Sequence, residues 1–399
     1  MKKLLAILLA ALMVFCLVAC GGTDKDDTKA DESKEDKTAS TDGEKDDVLK
    51  VGFIYIGDES DEGWTYNHIA GQKEMEEAYG DAVETICKYN VKEDSSCIDA
   101  IDELVGDGCT VIFATSFGYE QFIEEVVSDY PEVTFCHCSG YQCATDDYDN
   151  TSNYFAEIYE GRYLAGVVAG LKLNELIESG EITAEEAKVG YVGAYAFAEV
   201  ISGYTAWYLG VASVCPEATM EVVYANSWGD YETEYQCALS LIDDGCVIVS
   251  QHSDTTGPAA ACETVEGVYH VGYNTDMTDV APTSTLVSSH INWGVFVTDT
   301  VGKILDGKKI AQDNWGGTAD GWVSLVGMNE DLVAEGTNDM LKELEDKLAD
   351  GSLSVFSGDY TGTNSNGDTI DLSTPYVENA TQSSPTFDYV LDDVITVVE

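Results

Sequence analysis

Two kinds of hydrophobic pattern alternate along residues 48–350 of the chain. Short continuous runs of β-branched and aromatic residues, beginning with residues 48–56, predict strands that are buried on both faces of a parallel sheet. Longer stretches that mix polar and apolar positions, beginning with Trp64–Tyr79, predict helices between those strands. The alternation predicts an α/β protein whose parallel sheets are covered by helices.

The predicted elements fall into two series of similar size. The first has strands at 48–56, 85–91, 110–114 and 133–138 and helices at 64–79, 96–105 and 120–128. The second follows a long helix at 154–178 and has strands at 188–192, 220–224, 247–250 and 268–273 and helices at 200–214, 232–243 and 257–265. Two such series predict two doubly wound lobes.

The remaining chain is predicted to cross between these lobes. A strand at 285–288 and a helix at 293–305 are expected in the first lobe, and a strand at 322–327, a helix at 330–349 and hairpins over 355–399 in the second. The predicted first lobe thus comprises residues 48–150 and 279–318, and the predicted second lobe comprises 151–278 and 319–399. The three crossovers are expected near 146–152, 276–284 and 313–321.

The first 47 residues have a different character. Lys2 and Lys3 precede an apolar stretch at 4–18, which is typical of an export signal and short for a membrane span. The signal ends in Leu17-Val18-Ala19-Cys20, which resembles a bacterial lipobox. We therefore predict a signal peptide at 1–19, a lipid on Cys20 and an acidic disordered tether over 20–47. The alternative is an ordinary secretory signal with an incidental cysteine.

Charge excludes one class of function. The chain has 19 basic and 74 acidic residues and a formal charge of −55. Nucleic-acid binding depends on Lys and Arg that replace counterions, so such a negative protein is not expected to bind nucleic acid.

The cysteines do not predict a disulfide framework or a metal site. Twelve are present, of which Cys16 lies in the signal and Cys20 is the lipid site. Most of the other ten fall within predicted strands or helices, which favours buried free thiols in a chain of this length. The cluster of Cys136, Cys138 and Cys143 is the exception, where a bond or a metal is conceivable. No Cys-x-x-Cys pair is present, and we predict no metal.

Candidate binding residues follow from the fold, because ligands of open α/β sheets bind beyond the carboxyl ends of the strands. The loops at these ends carry aromatic, amide and carboxylate side chains, which suit a flat ligand held by stacking and hydrogen bonds. Arg162 is the sole arginine and the loops contain no lysine, which favours a neutral ligand. The candidates are Trp64, Tyr66, Asn67, Phe117, Tyr119, Phe197, Trp228, His252, Asp254, Asp276 and Trp293.

Two alternatives apply to these residues. Aromatic residues at helix starts often pack in the core, so any one of them could be structural. His252 and Asp254 could form a general base and the group that orients it, although residues two apart in a loop more naturally each contact a ligand. The chain lacks the G-x-S-x-G, phosphate-loop, G-x-G-x-x-G and H-E-x-x-H motifs, and we predict no catalytic residue.

Several ordered motifs give the chain a family resemblance. They are Val51-Gly52-Phe53-Ile54-Tyr55, Gly63-Trp64-Thr65-Tyr66, Lys188-Val189-Gly190-Tyr191-Val192-Gly193-Ala194, Trp228-Gly229-Asp230, Gln251-His252-Ser253-Asp254, Gly272-Tyr273-Asn274-Thr275-Asp276-Met277 and Asn292-Trp293-Gly294. Over about residues 48–330 the sequence resembles the basic membrane protein family. These are lipid-anchored solute-binding proteins of ABC importers and are related to purine-nucleoside receptor lipoproteins.

The resemblance implies a type I periplasmic-binding-protein fold, with two lobes, three crossovers and a ligand enclosed between the lobes. It implies that Trp64 stacks on a purine, and that Asp254 and Asp276 accept hydrogen bonds from ring nitrogens or ribose hydroxyls. The nucleoside-binding branch has a lysine where this chain has Asn292-Trp293, so a free base is as plausible a ligand as a nucleoside.

The sequence therefore leads to one main hypothesis and three alternatives. The main hypothesis is a non-catalytic receptor without a cofactor, anchored by lipid on the extracytoplasmic face of the membrane, that delivers a purine base or nucleoside to an ABC permease. The alternatives are a receptor for a sugar or small signal molecule, an extracellular nucleoside-processing enzyme and a surface adhesin.

Overall fold

Strands and helices alternate along the protein as the hydrophobic pattern predicts. The computed structural model describes residues 48–142 and 148–398. The predicted signal peptide, Cys20, the tether and Cys143 lie outside the described residues.

The first sheet consists of parallel strands in the order β11-β5-β4-β3-β1-β2. Its strands are β1 (Leu49–Ile54), β2 (Val83–Lys88), β3 (Val111–Ala114), β4 (Thr134–His137), β5 (Thr151–Tyr154) and β11 (Asp313–Asn314), and its helices begin with α1 (Trp64–Tyr79), α2 (Ser96–Gly106) and α3 (Glu120–Val126). Alternate residues of β1 enter different cores. Val51 and Phe53 belong to one hydrophobic cluster and Ile54 to another, which explains the continuous apolar run in the sequence.

The second sheet has the order β12-β10-β9-β8-β6-β7-β16. Its strands are β6 (Lys188–Gly193), β7 (Thr219–Tyr224), β8 (Ile248–His252), β9 (Tyr269–Tyr273), β10 (Thr285–Ile291), β12 (Val323–Val326) and β16 (Ile395–Val398), and the remaining helices are α4 (Ile158–Ser179), α5 (Ala198–Val214), α6 (Tyr231–Asp243), α7 (Gly257–Glu263), α8 (Trp293–Leu305) and α9 (Thr337–Ala349). All neighbours pair in parallel except β10 and β12. We refer to the first sheet with α1, α2, α3 and α8 as the first lobe, and to the second sheet with the other helices as the second lobe.

Helices α4 and α5 approach each other closely within the second lobe. A Cβ atom added to Gly166 would lie 2.0 Å from the carbonyl oxygen of Trp207, and one added to Gly210 would lie 2.1 Å from that of Tyr163. Only glycine at these positions permits this backbone contact.

The structure corrects three predicted elements. The strand predicted at 285–288 was expected in the first lobe, but β10 pairs in parallel with β9 of the second sheet. Residue 154 was expected in a helix, but it ends β5, and α4 begins only at Ile158. The helix predicted from residue 330 begins at Thr337, after Gly336 with φ 84°.

These changes move two of the three crossings between the lobes. The chain leaves the first sheet after β5, at 155–157, and leaves the second sheet after β10, at Asn292. The third crossing, at 315–322, overlaps the predicted 313–321. Helix α8 then packs on α1, as shown by the stacking of Trp293 on His68.

The C-terminal segment, residues 355–398, adds to the second lobe. Strands β13 (Thr361–Thr363), β14 (Thr369–Asp371) and β15 (Val390–Leu391) form a small antiparallel sheet, which contains the predicted hairpin arrangement. Strand β16 was not predicted and pairs in parallel with β7. The segment also reaches the first sheet, because the backbone N–H of Ser383 donates to Asp313 Oδ2 at 3.0 Å.

Helix length and hydropathy bear on membrane insertion. Within residues 48–142 and 148–398, no helix combines the length and the hydrophobicity needed to cross a bilayer.

Candidate ligand-binding site

A cavity that encloses about 320 Å³ including its open mouth lies between the two lobes. Its lining comes from the carboxyl ends of strands in both sheets, the edge at which open α/β sheets bind ligands. The first lobe contributes Ile56, Trp64, Ser116, Phe117 and Ser139, and the second contributes Glu199, Trp228, His252, Asp254 and Tyr273.

Trp64 is held in a fixed position at the first residue of α1. Asp61 accepts hydrogen bonds from the backbone N–H groups of Thr65 and Tyr66 and so fixes the start of the helix. The Trp64 indole Nε1–H donates to the carbonyl oxygen of Thr115 at 2.7 Å. The Trp64 ring is 7% exposed and packs edge-on against Trp293, with 5.4 Å between ring centroids. A rigid aromatic wall of this kind suits stacking on a flat ligand.

Asp254 brings a carboxyl group into the cavity from the loop after β8. Its backbone N–H donates to the Trp228 carbonyl oxygen at 2.8 Å, which fixes the loop. Burial raises the pKa of the Asp254 carboxyl well above its usual range, and the nearby acids Asp61 and Glu234 raise it further. A ligand that donates a hydrogen bond to this carboxylate would offset part of the cost of burying its charge.

Glu234 positions the loop that carries Asp254. Its Oε2 accepts from the Thr255 hydroxyl at 2.7 Å and from the Thr255 backbone N–H at 3.2 Å, while its Oε1 accepts from the Asp230 N–H at 3.0 Å. Burial raises the pKa of Glu234 to about 7 in spite of these hydrogen bonds. Glu234 therefore acts on the site through the loop.

Glu199 and His252 form a second polar group in the cavity. Glu199 Oε2 accepts from the Ser139 hydroxyl across the two lobes at 3.0 Å, and Glu199 Oε1 lies 3.4 Å from His252 Nε2. Burial, together with the Arg162 charge, lowers the pKa of His252 to about 4, so this imidazole is neutral at pH 7. Its Nδ1 is buried without a hydrogen-bond partner among the described residues. A neutral imidazole can donate or accept there.

Arg162 lies beneath the cavity in α4. Its guanidinium carbon is 3.7 Å from the centroid of the Tyr273 ring, and its Nη1 donates to the Gln251 carbonyl oxygen at 2.6 Å. The Tyr273 hydroxyl is buried without a hydrogen-bond partner among the described residues. Arg162 thus stabilises the ring that forms the floor of the cavity by a cation–π contact.

The two lobes touch each other beside the cavity. A Cβ atom added to Gly63 would lie 1.8 Å from the carbonyl oxygen of Asp254, so only a glycine fits between these segments. The Thr275 hydroxyl donates to the Glu62 carbonyl oxygen at 2.6 Å across the same boundary. The two lobes are therefore closed against each other in this structure.

The structure brings five of the predicted binding residues together. Trp64, Phe117, Trp228, His252 and Asp254 all line the cavity.

Three others line a separate cavity on the far side of the contact between Gly63 and Asp254. They are Tyr66, Asn67 and Asp276. Asn67 donates from Nδ2 to the Ile291 carbonyl oxygen at 2.7 Å, and Asp276 accepts from the backbone N–H of its neighbour Thr278 at 2.9 Å. Asp276 and Asp254 consequently do not face one cavity.

The last three lie around the cavity. The Tyr119 hydroxyl donates to the Val91 carbonyl oxygen at 2.5 Å in the core of the first lobe, and Trp293 is 1% exposed behind Trp64. Phe197 is 44% exposed and lies outside the cavity, 5.9 Å from Phe117 between ring centroids. Tyr119 and Trp293 therefore have the structural role that is common for aromatic residues at helix starts.

Sequence reasoning did not include five residues of the lining. Ser116 directly precedes the named Phe117, and Glu199 is the second residue of α5, two positions after the named Phe197, so a wider search around these residues would have included both. Tyr273 stands in one of the motifs that carry the family resemblance. Ile56 and Ser139 carried no distinguishing signal, because apolar residues and serines are common at strand ends. In the described part of the chain, no group of three or more His, Cys, Asp or Glu residues is arranged to hold a metal ion.

Comparison of the sequence with known proteins gives a consistent family. Residues 48–354 match the Bmp family, described as PnrA-like substrate-binding proteins of ABC transporters. A purine-binding protein of Brucella abortus is 35% identical over 78% of this chain and 83% of its own length. A Haloferax volcanii protein, named as the ABC transporter glucose-binding protein TsgA13, is 30% identical over 85% of this chain and 81% of its own length.

Solved structures support the fold. An ABC transporter solute-binding protein from Aeropyrum pernix has a TM-score of 0.64 at 16% identity and covers 76% of this chain and 92% of its own. One from Conexibacter woesei has a TM-score of 0.61 at 17% identity and covers 76% and 97%. These neighbours share the type I periplasmic-binding-protein fold predicted from the sequence. The protein belongs to the Bmp family of PnrA-like ABC-transporter substrate-binding proteins.

Proposed function

We propose that this protein is an extracytoplasmic, lipid-anchored receptor that binds a purine base or nucleoside between its lobes and delivers it to an ABC importer. The main support is the chemistry of the cavity, where the Trp64 ring lies opposite hydrogen-bonding groups of the second lobe. Family membership supports a small ligand and a permease partner.

The lining of the cavity suits a purine. A purine offers flat faces for stacking, N–H donors and ring-nitrogen acceptors. Asp254 and Glu199 can accept from the N–H donors, while the Tyr273 hydroxyl can donate to a ring nitrogen. The ten lining residues include no lysine or arginine, which favours a neutral ligand over a phosphorylated one.

A neutral sugar is the second candidate. The name of the Haloferax volcanii relative assigns it glucose, whereas that of the Brucella abortus relative assigns it purines. Aromatic faces and carboxylates also occur in sites for polyhydroxylated ligands. Calorimetry with adenine, guanine, adenosine, guanosine and glucose distinguishes the two candidates. Binding of glucose but none of the purines would make the purine assignment wrong and leave the receptor class intact.

We expect Trp64→Ala to weaken purine binding by about tenfold to a hundredfold, because stacking on an aromatic ring contributes about 1–3 kcal/mol per base. Isothermal calorimetry measures this change. Trp315→Ala is the matched control, since Trp315 is 39% exposed and does not line the cavity. If Trp64 had a purely structural role, Trp64→Ala would instead lower the melting temperature and weaken the binding of every ligand to the same extent.

Membership of a family of substrate-binding proteins also favours a receptor role over catalysis. Asp254 and His252 both line the cavity, and His252 lies 3.4 Å from Glu199. Each is thus placed to contact a ligand. Release of free base and ribose from adenosine by the purified protein would contradict this part of the proposal.

Membrane attachment through Cys20 is expected from the lipobox. Cys20→Ala should abolish processing by the lipoprotein signal peptidase and release the protein from the detergent phase, because the lipid supplies the membrane affinity. Metabolic labelling with a fatty acid, followed by detergent partitioning, measures both effects. Unchanged membrane retention together with no label in the wild type would contradict the anchor.

A further inference from the structure

A second and larger cavity adjoins the ligand cavity on its outer side. It encloses about 1360 Å³ including its open mouth, and we call it the outer cavity. Phe117 and Glu199 line both cavities, so the two adjoin at these side chains. A group attached to a ligand in the inner cavity would enter the outer cavity past these side chains.

The C-terminal segment builds much of the outer cavity. Residues of this segment, among them Pro385, Val390 and Val397, make up more than half of its lining. The match to the Bmp family ends at residue 354, before this segment begins. This wall is accordingly an addition of this chain to the region that the family match covers.

Several large apolar side chains of the outer cavity are exposed. Phe197, Tyr141 and Val397 line it and are 44%, 43% and 42% exposed. Exposed large apolar side chains that are grouped on one concave surface indicate a binding site. A ligand that covers these side chains would remove their apolar surface from contact with water, which favours binding.

Three polar side chains of the C-terminal wall donate hydrogen bonds within the wall itself. Thr363 Oγ1 donates to Asp392 at 3.0 Å, Asn364 Nδ2 donates to Asp388 at 3.3 Å and Gln382 Nε2 donates to the Ser384 carbonyl oxygen at 3.3 Å. These donors are not available for ligand hydroxyls. Among the lining residues, Glu199 and Asp388 carry negative charge and none is a lysine or arginine, which opposes a phosphate group.

We propose that the outer cavity binds an uncharged, apolar ring that is attached as a substituent to the heterocycle in the inner cavity. The receptor would thus favour a purine with such a substituent over an unsubstituted purine. This inference rests on the proposed function, since it requires a purine in the inner cavity.

Calorimetry with adenine, N6-benzyladenine, 9-benzyladenine and adenosine monophosphate tests the proposal. Two benzyl isomers are used because either position of the purine could point outward. At least one isomer is expected to bind about tenfold or more tighter than adenine, because its ring buries apolar surface against the wall. Adenosine monophosphate should bind more weakly than the tighter-binding isomer, because the outer cavity contains no lysine or arginine.

Val397→Asp tests whether the tighter binding of the benzyl isomer arises in the outer cavity. The substitution places a charge in the outer cavity. It should abolish the tighter binding of the benzyl isomer without weakening the binding of adenine. Val377→Asp is the matched control, because Val377 is 66% exposed in the same segment and does not line the outer cavity. Should Val397→Asp fail to fold, Val397→Thr is a nearly isosteric polar replacement that should reduce the same advantage.

The outcomes separate this inference from the proposed function. If adenine binds but neither benzyl isomer binds more tightly, the outer cavity does not take the substituent. If the benzyl isomer still binds more tightly than adenine in both Val397 variants, the ring binds elsewhere and the inference is wrong. If none of the purines binds, the purine assignment fails, and this inference fails with it.

Discussion

Replacing Gly63 by alanine is expected to weaken ligand binding by about a hundredfold, since the affinity falls in proportion to the population of the closed state. The added Cβ atom would lie 1.8 Å from the Asp254 carbonyl oxygen, far inside any permitted contact. The variant can fold, because the clash arises only between lobes that have closed. Calorimetry measures the loss of affinity. Small-angle scattering in the presence of ligand measures the loss of closure.

Gly106→Ala is the matched control for this experiment. Gly106 also lies in the first lobe, and a Cβ atom added there meets no atom within 4 Å. This variant should bind and close like the wild type. Wild-type affinity in Gly63→Ala would show that ligand binding does not require the closed arrangement described above.

Replacing Asp254 by asparagine is expected to have two opposite effects. Binding of the cognate ligand should weaken by more than about tenfold, because the charge-assisted hydrogen bond is lost. The empty receptor should close more readily, because closure brings Asp254 near the first-lobe acids Asp61 and Glu93. Scattering without ligand should therefore show smaller dimensions for Asp254→Asn than for the wild type.

The same reasoning gives a pH dependence for the empty wild type. Burial raises the pKa of the Asp254 carboxyl in the closed form above its usual value near 3.8, so the closed form binds a proton more tightly than the open form. As the pH falls through the raised pKa, the proton stabilises closure and the dimensions of the wild type should decrease. Asp254→Asn should show a smaller change with pH. Dimensions that are independent of both pH and this substitution would contradict the role of Asp254.

The sequence predicted individual helices and strands well where the hydrophobic pattern alone determined them. The bounds of Trp64–Tyr79 and Trp293–Leu305 agree with the structure residue for residue. The residues directly before these helices are Gly63 and Asn292, which mark where each helix begins. By contrast, the apolar run at residue 285 predicted a strand but not its sheet, because a strand buried on both faces looks the same in either lobe.

The candidate site was predictable to the extent that strand ends define it. Trp64, Asp254 and three other named residues line the cavity because the carboxyl ends of parallel strands converge there. The separation of Asp276 from Asp254 depends on how the lobes meet at Gly63, which is a contact between segments about 190 residues apart in sequence. Local patterns do not contain that information.

The pairing of β16 with β7 has a consequence for where the chain can be cut. β16 forms the outer strand of the second sheet and covers the backbone groups of β7, over Thr219–Tyr224. A truncated protein ending at residue 354, where the family match stops, would leave β7 as an unprotected edge strand. Such an edge offers free N–H and C=O groups to another chain and promotes association. The C-terminal segment thus protects the receptor from self-association.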